Sequence, residues 1–65
     1  MVVINGQNVK DVTGISVLEV LNKSGYNTNH IAVELNEKIL PKSRYGDTLL
    51  CDGDKLEIVN FVVGG

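Results

Sequence analysis

The chain has 65 residues, of which 43% are hydrophobic and 22% charged, a length and composition that indicate one small globular domain and exclude a two-domain or disordered chain. Six Lys and Arg against eight Asp and Glu give a net charge of -2, which argues against binding to a nucleic-acid backbone. The single cysteine excludes an internal disulfide and a metal site built from several thiolates.

The first residues predict a β-hairpin. Residues 2–4 are Val-Val-Ile, a β-branched run, and residues 7–10 resume an extended pattern. Between them stands Asn5-Gly6, the dipeptide most typical of a two-residue type I′ turn.

The next segment predicts the main helix, over residues 17–24. Ser16 can accept a hydrogen bond from the Glu19 amide, while the Glu19 side chain can reach back to Ser16, as in a capping box. The apolar residues 17, 18, 20 and 21 recur at helical spacing on one side, so this side should face the core. Gly25 suits the left-handed position that ends a helix.

The second half of the chain predicts three more strands and two turns. Residues 30–35 alternate apolar and polar side chains, and residues 39–40 form a short strand that Pro41 restricts to an edge. Residues 52–54, Asp-Gly-Asp, predict a tight turn before a last strand over residues 55–61. That strand carries apolar residues on both faces near its end, which predicts a central position in the sheet.

These elements predict an α+β fold in which a four- to five-stranded mixed sheet packs on one main helix. The domain spans residues 1–61. Residues 62–65, Val-Val-Gly-Gly, are expected to form a flexible C-terminal tail, because glycine loses the most entropy on ordering.

The domain itself carries no recognisable catalytic or metal-binding motif. His30 stands alone and is interpreted as a surface or hydrogen-bonded residue rather than a metal ligand. Cys51 lies between Leu50 and Asp52 and is interpreted as a small buried structural residue rather than a reactive thiol. We therefore expect no bound metal and no catalytic side chain.

The diglycine end is the one segment that suggests chemistry. Gly64 and Gly65 have no side chains, so this backbone can enter a narrow channel and bring the Gly65 carboxylate into the active site of another protein. A carboxylate is a poor electrophile and needs activation, such as adenylation by Mg-ATP. Phe61, with Val59 on the same strand, should bind such a partner beside the tail residues Val62, Val63 and Gly64. A frayed glycine terminus without a function is the alternative.

In the order of these segments, the chain resembles the ThiS family of thiamine-biosynthesis sulfur carriers. The resemblance covers nearly the whole chain and rests on Asn5-Gly6, residues 16–21, 31–36, 39–42 and 52–59, and Gly64-Gly65.

The resemblance implies a ubiquitin-like β-grasp fold and a protein that is a cosubstrate rather than an enzyme. It implies that Gly65 is adenylated by a ThiF-like adenylyltransferase, which uses Mg-ATP, and is then converted to a thiocarboxylate. A sulfur donor protein would provide the sulfur, and a ThiG-like thiazole synthase would consume it. Lys42 and Val63 depart from residues common in the family, which affects only the details of partner contacts.

Three alternatives stay open from the residues: a carrier like the small subunit of molybdopterin synthase, a ubiquitin-like protein modifier, and a passive β-grasp interaction module. The low cysteine content and the lack of a signal peptide or a long apolar run predict a cytoplasmic protein that binds neither membranes nor nucleic acid.

Overall fold

The structure is a computed structural model that describes residues 1–61. The predicted flexible tail, residues 62–65, lies outside the described residues.

A mixed sheet of five strands forms the frame of the domain. The strands are β1 (Val2–Ile4), β2 (Gln7–Val9), β3 (Ile31–Leu35), β4 (Lys38–Leu40) and β5 (Lys55–Asn60), in the order β2-β1-β5-β3-β4. β1 and β5 are parallel, and the other neighbouring pairs are antiparallel. The predicted fold class, the central position of the last strand and the edge position of β4 are therefore confirmed.

The helix α1 (Val17–Lys23) crosses one face of this sheet. Its first turn is capped as predicted, because the Ser16 hydroxyl accepts a hydrogen bond of 3.1 Å from the Glu19 amide. The other half of the capping box is wrong: the Glu19 carboxylate lies 3.3 Å from the ammonium group of Lys23 instead. Gly25 has φ +80° and ends the helix, as predicted. In the described part of the chain, no helix is long and apolar enough to cross a membrane.

The core lies between α1 and the sheet face that α1 covers. Leu21 of the helix and Leu56 of β5 are fully buried, and Leu50 from the loop before β5 packs with them. Burying a leucine side chain contributes roughly 1.5–3 kcal/mol, so each of these residues contributes substantially to the stability of so small a domain. Tyr45 closes the core at one side with only 3% of its surface exposed, and burial raises the pKa of its hydroxyl.

Two hairpin turns support the central strand from its two sides. Asn5 and Asn36 each open a two-residue turn with positive φ, +49° and +53°. The Asn5 side-chain oxygen accepts a hydrogen bond of 2.7 Å from the Ile58 amide. The Asn36 side-chain oxygen accepts one of 2.9 Å from the Lys55 amide. Each turn thus adds a side-chain bond to the main chain of β5.

Two local predictions are wrong. His30 does not open a strand but ends a short 3-10 helix, Thr28–His30, because the Asn27 side chain caps this turn by accepting from the Asn29 amide. Cys51 is exposed rather than buried, because it stands at the start of the tight turn over residues 52–54, where the chain runs over the surface.

Candidate partner-docking site

The end of β5 brings the predicted docking residues to the surface. Leu56 and Ile58 point into the core, so the alternation of a strand sends Val59 and Phe61 to the opposite face. Each has 58% of its surface exposed. The Phe61 amide donates a hydrogen bond of 2.9 Å to the His30 carbonyl, which holds the chain beside β3 up to the last described residue.

Two further residues extend this apolar surface across the sheet. Ala32 of β3 lies directly opposite Val59, and Ile39 of β4 has 70% of its surface exposed. With Val59 and Phe61 they form the open face, the side of the sheet away from α1. We did not predict Ile39 and Ala32 as part of it, although the alternation of β3 and β4 was a signal for both.

Two carboxylates interrupt the open face. Glu34 of β3 lies directly opposite Glu57 of β5 in the register. Like charges in this position weaken a strand pair rather than stabilise it. Within residues 1–61 neither of them takes part in an ion pair. The open face is therefore an apolar surface with a negative charge at its centre.

Among the described residues, no group of three or more His, Cys, Asp and Glu side chains could hold a metal ion. His30 is half-buried. The Asp52 carboxylate contacts the ammonium group of Met1 at the far end of the sheet. The hydrogen bond and the positive charge of that ammonium group lower the pKa of Asp52.

A cleft of about 310 Å³ lies between the first hairpin and the end of the helix. Its volume is at the lower limit of small-molecule sites, about 300–1,000 Å³. Ile4, Val9 and Val20 line it, together with the polar residues Gln7 and Lys23. None of these was predicted to be functional, and the cleft lies on the side of the sheet opposite to the open face.

The remaining predicted site residues, Val62, Val63, Gly64 and Gly65, lie outside the described residues. The structure therefore positions the strand that leads to them but not the Gly65 carboxylate.

Comparison with known proteins gives consistent matches in sequence. The model of the ThiS family matches residues 2–65. The sulfur carrier protein ThiS of Bacillus subtilis is 41% identical over 66 aligned positions, which cover 100% of both chains. A thiazole synthase of Paramagnetospirillum magneticum is 43% identical over 63 residues, but this chain spans only 19% of that enzyme's length.

The fold also matches a solved structure. The crystal structure of the thiamine biosynthesis protein ThiS from Geobacter metallireducens superposes with a TM-score of 0.78. The two chains are 28% identical, and the match covers 98% of this chain and 97% of the other. The open face and β5 therefore belong to a fold that this chain shares with the Geobacter protein.

Proposed function

This chain belongs to the ThiS family, and from that premise we propose that it is a sulfur carrier of thiamine biosynthesis whose Gly65 carboxylate carries the sulfur. The carboxylate is adenylated, converted to a thiocarboxylate, and donates its sulfur to the thiazole ring. The prediction of a protein cosubstrate rather than an enzyme agrees with this family.

The Gly65 carboxylate reacts in two stages, adenylation and sulfur transfer. One carboxylate oxygen attacks the α-phosphorus of Mg-ATP, and pyrophosphate leaves, so that an acyl-adenylate forms. Hydrosulfide then attacks the acyl carbon and AMP leaves, which gives the thiocarboxylate. If a donor protein instead attacks with a persulfide, an acyl disulfide forms, and a thiol reductant must cleave its sulfur–sulfur bond to release the thiocarboxylate. The partner must stabilise the charge on the transferring phosphoryl group, since we expect the carrier to contribute no acid, base or metal ligand.

One observation carries the proposal: the family match runs to residue 65, so both glycines of the end lie within it. The full-length correspondence with the Bacillus subtilis sulfur carrier supports the same role. These two matches also favour the thiamine pathway over a carrier like the small subunit of molybdopterin synthase.

Three partners follow from this role: a ThiF-like adenylyltransferase, a sulfur donor protein, and a ThiG-like thiazole synthase. The similarity of this chain to a segment of a thiazole synthase supports the third of these. The exposed Val59 and Phe61 are suited to docking on the adenylyltransferase, with Val62, Val63 and Gly64 leading into its active site.

Intact-mass measurement tests the proposal. The wild-type chain, incubated with a ThiF-like enzyme, Mg-ATP and sulfide, should gain the mass of one oxygen-to-sulfur exchange, localised by fragmentation to the C-terminal peptide. Deleting Gly65 should abolish the exchange, because the new terminus falls about 3.3–3.6 Å short of the phosphate. Cys51→Ser and His30→Ala are the matched controls and should react normally. Sulfur on Cys51, or an exchange that persists without Gly65, would contradict the proposal.

The same assay tests the docking residues. Phe61→Ala should raise the carrier concentration that half-saturates the adenylyltransferase while leaving the fold intact, because its side chain is exposed. Leu49→Ala removes an equally exposed apolar side chain, 57% accessible, outside the open face, and should have no effect. An unchanged half-saturating concentration in a folded Phe61→Ala variant would exclude this residue from the interface.

A further inference from the structure

One side of the central strand β5 is left without a strand neighbour near the end of the strand, and we call this gap in the sheet the step. On one side, β3 accompanies β5 as far as the pair Ile31 and Asn60. On the other side, the pairing with β1 stops at Ile4 and Leu56. Beyond Leu56, therefore, β5 has a strand neighbour on one side only within residues 1–61.

The direction of the main-chain groups is fixed by the bonds that are made. The main-chain groups of Leu56 and Ile58 face the β1 side of β5. The Leu56 carbonyl accepts a hydrogen bond from the Asn5 amide, and the Ile58 amide donates one to the Asn5 side chain. Lys55 and Phe61 face β3, since they bond to Asn36 and His30. Alternate residues of a strand face alternate sides.

The next residue on the β1 side is Asn60, which is exposed. By this alternation, three groups face the step: the Ile58 carbonyl, the Asn60 amide and the Asn60 carbonyl. Among residues 1–61, no neighbouring main-chain group pairs with the Asn60 amide on that side.

This stretch lacks two of the features by which proteins protect strand edges. Charged side chains and proline are the usual means, and the outer strand β4 has both, with Lys38 in the strand and Pro41 directly after it. Residues 58–61, Ile-Val-Asn-Phe, have neither. A short, unprotected strand edge therefore lies immediately before the tail.

We propose that an extended segment of the adenylating partner pairs with this edge as an additional strand, through the main-chain groups of Ile58 and Asn60. Addition of a strand to a free sheet edge is a general mode of recognition in which main-chain hydrogen bonds supply affinity. The pairing fixes the direction in which the chain leaves the domain, toward the partner's active site. The inference rests on the proposed function and specifies how the partner holds the carrier.

A proline at residue 60 tests the pairing selectively. Asn60→Pro removes the amide hydrogen that faces the step, whereas the amides of Val59 and Phe61, which face β3, are unaffected. Proline is tolerated at such edge positions, and Val59 already has the extended backbone that a residue before proline prefers. Asn60→Ala is the matched control, because it removes the side chain but keeps the amide hydrogen.

The expected result is an increase of about tenfold or more in the half-saturating concentration of Asn60→Pro in the adenylation assay. Asn60→Ala should stay within about twofold of the wild type. Equal values for the two variants would overturn the inference. A wild-type chain that is not adenylated at all would instead overturn the proposed function, so the two failures are distinguishable.

Hydrogen exchange provides a test that needs no substitution. In the free protein the Asn60 amide should exchange faster than the Val59 amide, which lies on the paired side. Saturation with the adenylating enzyme, without ATP, should slow the Asn60 amide by at least about tenfold. An Asn60 amide that exchanges equally fast in the free and bound protein would overturn the inference, even if Asn60→Pro failed to fold.

Discussion

The two hairpin turns of the sheet bond the central strand in the same way from its opposite sides. Asn5 and Asn36 both have positive φ, and both accept a hydrogen bond from a main-chain amide of β5. Asparagine tolerates the left-handed conformation better than most residues. This conformation lets one residue make a turn and bond a strand that is distant in sequence. The comparison shows that β5 is held by side chains where its strand neighbours end.

The two turns differ in what surrounds these bonds. The Asn5 bond goes to a partly buried amide. The Asn36 bond goes to an exposed amide. Both side chains also donate a bond, Asn36 to Asp54 at 2.9 Å and Asn5 to the Tyr26 hydroxyl at 3.5 Å. The second turn residue is Gly6 in one turn and Glu37 in the other, and both have positive φ. Stability should therefore be more sensitive to substitution at Asn5 than at Asn36.

The largest effect is expected for Asn5→Ala, which should lower the free energy of unfolding by about 2–3 kcal/mol. The Ile58 amide loses its acceptor in a partly buried position, and alanine is strained at positive φ. Urea denaturation measures the loss. Asn8→Ala, on the exposed face of the neighbouring strand β2, is the control and should change stability by less than about 0.5 kcal/mol. A loss at Asn5 as small as at Asn8 would mean that its bond does not support the strand.

A smaller loss, about 1–2 kcal/mol, is expected for Asn36→Ala. Water can replace the lost acceptor at the exposed Lys55 amide, so the cost is mainly backbone strain. Asn36→Gly also lacks both side-chain bonds but has no backbone strain at positive φ. It should therefore recover most of the stability that Asn36→Ala loses. If Asn36→Ala proves more costly than Asn5→Ala, the order inferred from burial is reversed.

The second turn residues should respond in opposite directions. Glu37→Gly should raise stability by about 0.5–1 kcal/mol, because relief of the left-handed strain exceeds the added entropy of the unfolded chain. Gly6→Ala should lower it by about 1 kcal/mol through strain alone, since no atom lies within 4 Å of the added Cβ. Thermal denaturation of both variants checks the signs. A destabilised Glu37→Gly would show that the Glu37 side chain makes a compensating contact.

The smallest expected effect is on the stability of the domain at low pH. The pKa of Asp52, near the start of β5, lies below its ordinary value of 3.8, so its contact with the Met1 ammonium group stabilises the fold above that pH. This contribution is lost as the pH falls through the lowered pKa. Asp52→Asn should therefore make stability slightly less dependent on pH below about 4. The turn at Asn5 uses an amide, so Asn5→Ala should leave the pH dependence unchanged in the same denaturation series.

Most local features of the fold could be predicted from the sequence, as could the central position of β5 and the edge position of β4, but the individual contacts between distant residues could not. The Asn5-Gly6 turn, the Ser16 cap and the end of the helix at Gly25 depend on residues close in sequence. The bond from Asn5 to Ile58 joins residues 53 positions apart, and no local pattern contains it. Cys51 was misplaced because burial depends on which segments pack above a loop, which its apolar neighbour Leu50 does not reveal.

The candidate site, too, could be predicted only where it depends on residues close in sequence. The exposed Val59 and Phe61 followed from the alternation of one strand, whereas the positions of Ala32 and Ile39 beside them depend on the strand order. The opposition of Glu34 and Glu57 requires the register between two strands. Neither the strand order nor the register between strands can be read from a single sequence.

The central position of β5 has a consequence for biosynthesis. The two hairpins, β1–β2 and β3–β4, each pair strands that are close in sequence, whereas β5 alone joins them in the sheet. Contacts between distant residues form slowly, because the loop between them must first close. During translation the core therefore stays incomplete until Leu56 and Ile58 have emerged. The strand edge at residues 58–61 therefore becomes available to a partner only when the domain folds.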